Sequence, residues 1–485
     1  QKPVAESIPR NDQLSPGHPI RRKGVKPERI IAEKLPRLGW KEVKTTMNKL
    51  CWYCLTFFLS SRQFSQPGLI STPSRRRRAM NQTTHYLQSD YTADKGIEIG
   101  VLVNHILADA ITAGASDVHI EPWENTIAVR LRLSGVLAEL VHLPLDLMEK
   151  ISGRFKVMAN LISYQTGLPQ EGHASGGPEL GGVELRISVF PTTRGEKIVV
   201  RLFDPRNRSF DLATLGFDEA VQQTWLKLLT RSNGLLLLTG PTGSGKTTAI
   251  YSSLYQIVQR TGPAVSVSTV EDPVEFNLPM ISQAQINPAQ EFTYPKALRS
   301  LMRQDPQVIM IGEIRDPETA NIAVQAGLTG HLVISTIHSG IAAGVFARLI
   351  NMDIEPFLLA SSIIGVLSLR LIRKNCPHCL QAYQPEPGLL KMLPAEVAAG
   401  TQFMRGAGCA QCSGTGFHGR TAVTELLVPD EVFRDAALQR VPTRALHEVA
   451  IKQGMQTMWQ DGLKRVLKGQ TTIEEILRVI AADQL

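Results

Sequence analysis

The segment GPTGSGKTT at residues 240–248 constrains the fold more than any other part of the 485-residue chain. It follows the apolar run LLLLT and precedes the helix-like AIYSSLYQIV, so G-x-x-x-x-G-K-[ST] lies between a strand and a helix, as a P-loop requires. Glycines let backbone N–H groups surround phosphate oxygens, and the helix start adds favourable partial charge. The expected nucleotide-binding residues are Gly240, Pro241, Thr242, Gly243, Ser244, Gly245, Lys246, Thr247 and Thr248.

Two residues of this loop, and one acid elsewhere, have predicted chemical roles. Lys246 is expected to reach the β- and γ-phosphates of ATP, and Thr247 to ligate Mg²⁺. The segment QVIMIGEIRD (307–316) predicts a buried strand, at the end of which Glu313 emerges to order metal and water. Gly312 precedes this acid, where many P-loop enzymes carry an aspartate.

A second acidic segment, STVEDPVE (268–275), also follows an apolar run. Because the carboxyl ends of parallel strands meet at one edge of a sheet, Glu271, Asp272 and Glu275 are expected near Glu313. One of these carboxylates, Glu271 foremost, would polarise the attacking water while Glu313 holds the metal shell, or the reverse. Isolated acidic residues would more often be solvated surface groups, but the position after an apolar strand favours a site.

The order of apolar and helix-like segments along the rest of the chain predicts two different sheets. Residues 97–205 alternate a helical pattern with strand-like runs and indicate a small α+β domain, followed by a linker around 204–220. From residue 232 onward, apolar runs alternate with helix-like segments and predict a largely parallel α/β sheet. The segment FLLASSIIGVLSLRLI (357–372) reads as a helix.

All six cysteines fall in Cys-x-x-Cys pairs. Cys376/Cys379 and Cys409/Cys412 can supply four thiolates to one tetrahedral zinc ion. The alternatives are free thiols in a degenerate knuckle, or disulfides, which need an oxidising compartment that nothing else in the sequence indicates. The pair Cys51/Cys54 lies in the apolar stretch LCWYCLTFFL and is interpreted as buried thiols.

The net charge of +8 is confined to the start of the chain, since residues 1–79 hold 17 Lys/Arg against 5 Asp/Glu. The remainder is net negative, which argues against a nucleic-acid partner. The basic segment is interpreted as a disordered leader, as an upstream extension of a protein that starts at Met80, or as a basic interaction arm. Its apolar stretch, residues 50–59, is about half the ~20 residues of a membrane-spanning helix, and no secretory signal is expected.

Four ordered segments together resemble the secretion ATPases of type II secretion and type IV pilus assembly. They are GPTGSGKTT, VEDPVE, the block LRSLMRQDPQVIMIGEIRDPETANIAVQAGLTGHLVISTIH (298–338), and CPHC…CAQC…GFHGRTAVTELL. The resemblance covers about residues 97–485 and identifies them as Walker A, the Asp box, Walker B and a His box with His331 and His338, followed by the cysteine segment. A glycine before the Walker B glutamate is the pattern of this family.

The resemblance implies a hexamer of two-domain subunits with nucleotide bound between the domains. It predicts an atypical or disordered segment 1–96, a PAS-like domain 97–208, a RecA-like ATPase core 209–375, a zinc loop 376–412 and C-terminal helices 413–485. Catalytic roles are expected for His338 and for three arginines, of which Arg299 and Arg303 share one helical face and Arg186 lies in the PAS-like domain. Arg348 and Arg420 also match phosphate or subunit-contact positions, and His331 is interpreted as a core or sensor histidine.

The implied function is a cytoplasmic ATPase, peripheral to the inner face of the bacterial inner membrane, that uses ATP, Mg²⁺ and Zn²⁺. It would drive assembly of a type II secretion pseudopilus or a type IV pilus, with an inner-membrane platform protein and a membrane-anchored recruitment protein as partners. The alternatives are a pilus retraction ATPase, whose relatives generally lack the four cysteines, a RecA-like nucleic-acid motor, and an inactive scaffold. Two departures stand out: LPQEGH places His173 where the family has arginine, and residues 1–96 do not resemble its usual N-terminal module.

Overall fold

The structure is a computed structural model that describes residues 81–89, 97–203, 210–393 and 395–480. The expectations for the basic segment, for Cys51 and Cys54 and for Met80 lie outside these ranges. Among the described helices, none combines the length and the hydropathy that crossing a membrane would require.

Part of the segment 1–96 is helical. Helix α1 (Gln82–Ser89) starts at the side chain of Asp109, whose carboxylate accepts hydrogen bonds from the first two N–H groups of the helix at 2.9 Å each. Asp109 belongs to α2 (Ile99–Thr112). Since a helix of this length needs tertiary packing to be stable, α1 is part of the fold that follows it.

The first sheet contains six strands in the order β3-β2-β1-β6-β5-β4, and all neighbouring strands are antiparallel. The strands are β1 (Asp117–Pro122), β2 (Ile127–Leu133), β3 (Val136–Leu143), β4 (Gln170–Ser175), β5 (Glu184–Thr192) and β6 (Gly195–Phe203). Along β6 the fully buried Ile198 and Val200 alternate with the less buried Lys197, Val199 and Arg201, so one face of the sheet is apolar. Helices α2 and α3 (Met148–Met158) cover that face, and the predicted mixture of helices and strands is present.

The second sheet contains seven described strands in the order β15-β12-β7-β11-β10-β8-β9. They are β7 (Gly234–Thr239), β8 (Val267–Glu271), β9 (Ser282–Gln285), β10 (Val308–Ile311), β11 (Leu332–Ile337), β12 (Ile363–Asn375) and β15 (Phe417–Leu427). All neighbours are parallel except β12 and β15, which confirms the predicted parallel sheet. The helices among these strands are α4 (Glu219–Leu228), α5 (Lys246–Thr261), α6 (Tyr294–Leu301), α7 (Pro317–Leu328), α8 (Gly344–Ile350) and α9 (Pro356–Ser362).

The helix predicted for residues 357–372 is wrong beyond its first turns. Helix α9 ends at Ser362, and the chain continues as the 13-residue strand β12. This strand lies between β7 and β15 and is buried along most of its length. A continuous apolar run fits a strand covered on both faces as well as a buried helix, so periodicity alone did not distinguish them.

The C-terminal part is not entirely helical, contrary to the prediction for 413–485. It begins with β15, which pairs antiparallel with β12, and only then forms helices. These are α12 (Glu431–Leu438), α13 (Thr443–Lys452), α14 (Met458–Leu467) and α15 (Ile473–Val479). Between β12 and β15 lie a two-stranded ribbon of β13 (Leu380–Ala382) and β14 (Met404–Gly406), and the short helices α10 (Pro387–Leu390) and α11 (Ala395–Gly400).

Candidate nucleotide site and cysteine cluster

The P-loop begins where β7 ends and leads directly into α5. Gly240 has φ +148°, and a Cβ built on it would lie 2.5 Å from the carbonyl oxygen of Leu369 in β12 and 2.6 Å from the hydroxyl of Ser244. No side chain fits in that space, so the close approach of β12 requires glycine at this position.

Lys246 and Thr247 form the first turn of α5 and line a cavity at the carboxyl edge of the sheet, with Thr242 and Gly243. The Nζ of Lys246 donates hydrogen bonds to the carbonyl oxygens of Gly240 (2.7 Å) and Pro241 (3.0 Å). Burial lowers the pKa of Lys246, while the nearby carboxylate of Glu313 opposes this shift. The predicted loop therefore presents an ammonium group and a hydroxyl group to one cavity.

Glu313 and His338 meet in the same cavity. Glu313 follows β10, His338 follows β11, and the Nε2 of His338 lies 2.9 Å from the Oε1 of Glu313. The other oxygen, Oε2, accepts a hydrogen bond of 2.7 Å from the Nε of Arg315. This contact raises the pKa of Arg315. Arg315 was not singled out from the sequence, although it stands only two residues after Glu313.

His331 lies at the opposite end of β11 from His338. Its Nδ1 is 3.1 Å from the carbonyl oxygen of Ala326, and its own carbonyl oxygen accepts a hydrogen bond from the N–H of Gly234. Since β11 separates the two histidines, only His338 lies at the carboxyl edge with the P-loop.

Close packing against Tyr294 favours glycine at position 312. A Cβ at this position would lie 2.7 Å from the hydroxyl oxygen of Tyr294 and 3.4 Å from the Cα of Glu271. An aspartate could not be accommodated unless Tyr294 moved. Tyr294, at the start of α6, lines the cavity and was not singled out from the sequence, because nothing local links it to Gly312.

Replacing Gly312 with alanine is expected to destabilise the protein by about 1–3 kcal/mol, because the added methyl group overpacks the site against Tyr294. The double variant Gly312→Ala/Tyr294→Phe should recover most of this loss, since removing the hydroxyl frees the space. Denaturant unfolding measures both changes. Gly153→Ala in α3 is the control, because its new methyl group would meet nothing within 4 Å. An equal loss in both single variants would contradict the packing account.

The carboxylate of Glu271 is only 2% exposed and has three hydrogen-bond donors. The hydroxyl of Tyr251 donates to Oε2, while the hydroxyl of Thr269 (2.6 Å) and the Nε2 of Gln283 (3.0 Å) donate to Oε1. Burial, followed by the contact with Glu271, raises the pKa of Tyr251. Glu271 lines the cavity beside Glu313, as the sequence predicted, but it is more deeply buried than Glu313.

Asp272 and Glu275 also line the cavity. Asp272 lies 3.7 Å from the Nη1 of Arg315, so it belongs to the same charged group as Glu313. The backbone N–H of Glu275 donates to the hydroxyl of Tyr251 at 3.3 Å. The loop after β8 is thereby joined to the P-loop helix α5.

None of the predicted arginines lines the P-loop cavity. Arg186 pairs with Glu171 at 3.1 Å and lines a neighbouring cavity that it shares with His173 and Glu275. Arg299 pairs with Glu318 at the start of α7. The side chains of the other three predicted arginines are each exposed to solvent: Arg303, Arg348 and Arg420. Within a single chain, the structure therefore does not bring Arg299 and Arg303 to the cavity.

The four predicted metal ligands form one cluster, in which all Sγ atoms lie within 4.8 Å of one another. The Sγ separations are 3.8 Å for Cys376–Cys409, 3.8 Å for Cys379–Cys412 and 3.7 Å for Cys409–Cys412. Four thiolates bound to one tetrahedral zinc ion at ~2.3 Å would lie about 3.8 Å apart. The separations exceed a disulfide bond, so the thiols fit a zinc ion in size and in chemistry.

Backbone N–H groups point at the sulfur atoms of this cluster. Gly408 donates to the Sγ of Cys379 at 3.3 Å, and Cys409 and Gly416 donate to the Sγ of Cys412 at 3.1 and 3.2 Å. Although burial opposes it, the bonds from Cys409 and Gly416 and the thiols of Cys409 and Cys379 lower the pKa of Cys412 to about 6, whereas burial raises the pKa of Cys376 and Cys379. Thiolates are the form that binds metal, so the surrounding backbone favours the ligand state at Cys412.

Comparison with known proteins agrees with this geometry. The type II/IV secretion system protein family matches residues 92–478. Type II secretion system protein E of Pseudomonas aeruginosa is 42% identical over 381 residues, which cover 78% of this chain and 74% of that protein. Type II secretion system ATPase E of Vibrio cholerae is 40% identical over 380 residues, with 78% and 74% coverage. Type IV pilus assembly ATPase PilB of Thermus thermophilus is 41% identical over 377 residues, with 77% and 42% coverage.

Solved structures show the same fold at lower identity. The ATPase DotB of Legionella pneumophila superposes with a TM-score of 0.58 at 19% identity, covering 78% of this chain and 94% of that one. The pilus retraction motor PilT with bound ADP superposes with a TM-score of 0.53 at 24% identity, covering 79% and 98%. The chain therefore belongs to the type II/IV secretion system protein family and is an ATP hydrolase of that family, with ATP and Mg²⁺ as its cofactors.

Proposed function

We propose that this protein is a hexameric ATPase that couples ATP hydrolysis to assembly of a type II secretion pseudopilus or a type IV pilus. The observation that carries the proposal is the convergence of Lys246, Glu313 and His338 on one cavity, in a chain about 40% identical to type II secretion ATPases and to a pilus assembly ATPase. The four-cysteine cluster, which retraction relatives generally lack, favours assembly over retraction.

In the proposed reaction, Lys246 exchanges its bonds to the P-loop carbonyl groups for bonds to the β- and γ-phosphates. The hydroxyl of Thr247 would hold Mg²⁺, which would neutralise charge on the phosphate oxygens. The oxygen of the attacking water bonds to the γ-phosphorus as the bond to the β–γ bridging oxygen breaks and ADP leaves, and Glu313 accepts the proton that the water loses. His338 and Arg315 orient the Glu313 carboxylate by binding one oxygen each.

Glu271 is proposed as a positioning residue rather than as the base. Its carboxylate is buried and accepts hydrogen bonds from Tyr251, Thr269 and Gln283, so it is less accessible to an attacking water than Glu313, whose side chain is 17% exposed. The Glu271–Tyr251 contact instead fixes the end of β8 against the P-loop helix, and this holds the loop with Asp272 and Glu275 in the cavity wall.

The two sheets correspond to two proposed domains. The antiparallel sheet with its helices forms a PAS-like domain, proposed as residues 97–208, and the parallel sheet forms a RecA-like ATPase core, proposed as 209–375. Residues 376–412 form the zinc loop, and 413–485 complete the ATPase domain. The cavity shared by Arg186, His173 and Glu275 supports nucleotide binding between the two domains, with Arg186 near the phosphates.

Zinc is proposed as structural, since Cys376, Cys379, Cys409 and Cys412 fill a tetrahedral site and leave no open position. The rigid loop would face an inner-membrane platform protein, while a membrane-anchored protein recruits the motor to the inner face of the inner membrane. Assembly as a hexamer would place Arg299 and Arg303 of one subunit at a neighbouring site, which their distance from the cavity of their own chain supports.

The hexamer is tested by turnover at different protein concentrations. Turnover per chain is expected to rise steeply with concentration, and an excess of Lys246→Ala chains should inhibit wild-type chains more than dilution alone. Arg299→Ala should lower turnover, whereas Arg444→Ala, which removes an exposed arginine from α13, should not. Turnover strictly proportional to concentration, with no inhibition by inactive chains, would overturn the hexamer. Stimulation by single-stranded DNA would favour a nucleic-acid motor.

A further inference from the structure

Four buried polar side chains lie together on the strands next to the nucleotide cavity. Thr239 ends β7, Ser368 and Arg370 lie in β12, and Glu425 lies in β15. Thr239 pairs in register with Ser368, and Ser368 with Glu425, so these three form one row across three strands. Each of the four side chains is less than 9% exposed. Buried polar groups are costly unless they are bonded, so their partners indicate why they are there.

Three of them, Thr239, Arg370 and Glu425, bond to backbone groups of one segment, residues 338–343, which we call the His338 loop, whereas the hydroxyl of Ser368 has no hydrogen-bond partner among the described residues. The His338 loop connects the end of β11 to the start of α8. Thr239 exchanges two hydrogen bonds with the backbone of Ser339, at 2.9 and 2.8 Å. The Nη2 of Arg370 donates to the carbonyl oxygen of Gly340 at 2.9 Å, and the Oε1 of Glu425 accepts from the N–H of Ala342 at 2.8 Å.

The His338 loop begins with the side chain that contacts Glu313. A displacement of this loop therefore changes the 2.9 Å contact between His338 and the carboxylate that we assign to the attacking water. Arg370 also lies against the P-loop, because a Cβ on Gly240 would come within 3.2 Å of its Nη1. Thr239, Arg370 and Glu425 thus contact both flanks of the nucleotide cavity.

Glu425 has a second set of contacts, on the C-terminal helices. Its carboxylate lies 4.0 Å from the Nδ1 of His447 in α13, and the backbone of Met458, the first residue of α14, is close enough to lower its pKa. Burial raises the pKa of Glu425, and the bond from Ala342, His447, the backbone of Met458 and Arg370 all oppose that shift. The catalytic steps proposed above do not use this carboxylate, although it is as buried as Glu271.

We propose that Glu425 and Arg370 are positioning residues that hold the His338 loop in its catalytic place and couple it to helices α13 and α14. The inference rests on the proposed role of Glu313 and His338. It adds that the position of the C-terminal helices affects the geometry of the ATP site through one buried carboxylate. A movement of α14 relative to β15 is transmitted to the backbone of Ala342 and from there to His338.

The test compares kcat, KM for ATP and amide hydrogen exchange in Glu425→Leu, Glu425→Gln and Arg370→Met of the full chain. Glu425→Leu should lower kcat by about tenfold or more, since small displacements of catalytic groups are costly. KM for ATP should change by less than about threefold, because the P-loop contacts remain. Exchange should increase in peptides that contain Ser339 and Ala342. Glu425→Gln keeps an acceptor for Ala342 and should retain most of the turnover.

The matched control is Glu475→Leu, which removes an equally buried carboxylate that binds Arg373 of the same strand β12. It should lower stability without changing exchange in the His338 loop. In a double-mutant cycle, Glu425→Leu and His338→Ala should be non-additive in kcat, since both act through one contact. If Glu425→Leu does not fold, Arg370→Met tests the same loop, because it removes the hydrogen bond to Gly340 and keeps Glu425.

Either of two results would overturn the inference. The first is unchanged hydrogen exchange in the His338 loop of Glu425→Leu, or of Arg370→Met if Glu425→Leu is unfolded. The second is additive effects on kcat in the double-mutant cycle. The proposed function is tested separately in the same assay by Glu313→Gln. If Glu313→Gln retained turnover, the assignment of the base would fall, whereas the exchange result for the His338 loop would still decide whether Glu425 positions that loop.

Discussion

Replacing Glu313 with glutamine is expected to reduce ATP turnover by about 10²-fold or more, because an amide cannot accept the proton of the attacking water. ATP binding should persist, since Lys246 and the P-loop are untouched. Single-turnover hydrolysis together with binding of a fluorescent ATP analogue measures both quantities. The shape of the side chain is retained, so an effect on hydrolysis alone identifies proton transfer as the lost step.

Lys246→Ala provides the contrasting variant, because it removes the ammonium group that faces the phosphates. It should abolish turnover and also weaken nucleotide binding. Glu448→Gln, which removes an exposed carboxylate on α13, is the control and should behave as wild type. Turnover near the wild-type rate in Glu313→Gln would show that another carboxylate is the base, and Asp272→Asn would then be the next variant to measure.

The double variant Cys409→Ser/Cys412→Ser is expected to lose the zinc ion and to abolish pilus or pseudopilus assembly, while ATP turnover stays within a few-fold of wild type. Two of the four thiolates would be missing, and the loop between β12 and β15 would lose the ligation that offsets its closure entropy. Metal analysis of the purified wild type should give about one zinc ion per chain. Assembly is measured by complementation of a strain that lacks the protein.

Cys51→Ser/Cys54→Ser is the matched control, because it removes the other Cys-x-x-Cys pair and should leave the zinc content unchanged. Wild-type protein that contains no zinc, or a Cys409→Ser/Cys412→Ser variant that still assembles the fibre, contradicts the proposed role. Loss of assembly together with loss of all ATP turnover would instead indicate that the cluster supports the whole ATPase domain.

The central sheet and the position of its cavity could be predicted because the relevant signals are local. The P-loop identifies β7 and α5 by spacing alone, and Glu313 and His338 each follow an apolar strand directly. Parallel strands bring such residues to one edge whatever the details of packing. The Cys-x-x-Cys spacing likewise predicted the cluster.

Other features depend on contacts between distant segments and carry no local signal. Tyr251 reaches Glu271 from a helix 20 residues earlier, and the bulk of Tyr294 explains Gly312 only once α6 is packed. The apolar run of β12 is compatible with a helix until β7 and β15 flank it. Arg370 and Glu425 read as ordinary strand residues, because their partners are backbone groups of a loop.

Strand β12 has a mechanical consequence, because it joins the ATP site to the cysteine cluster without an intervening loop. Its first half pairs with β7 up to Ser368, and it ends at Asn375, next to Cys376. At ~3.3 Å per residue, the cysteine end projects about 26 Å beyond the last pair with β7, stiffened by pairing with β15. Because β12 is continuous between the two sites, a tilt of its β7-paired half would displace the cysteine cluster as well.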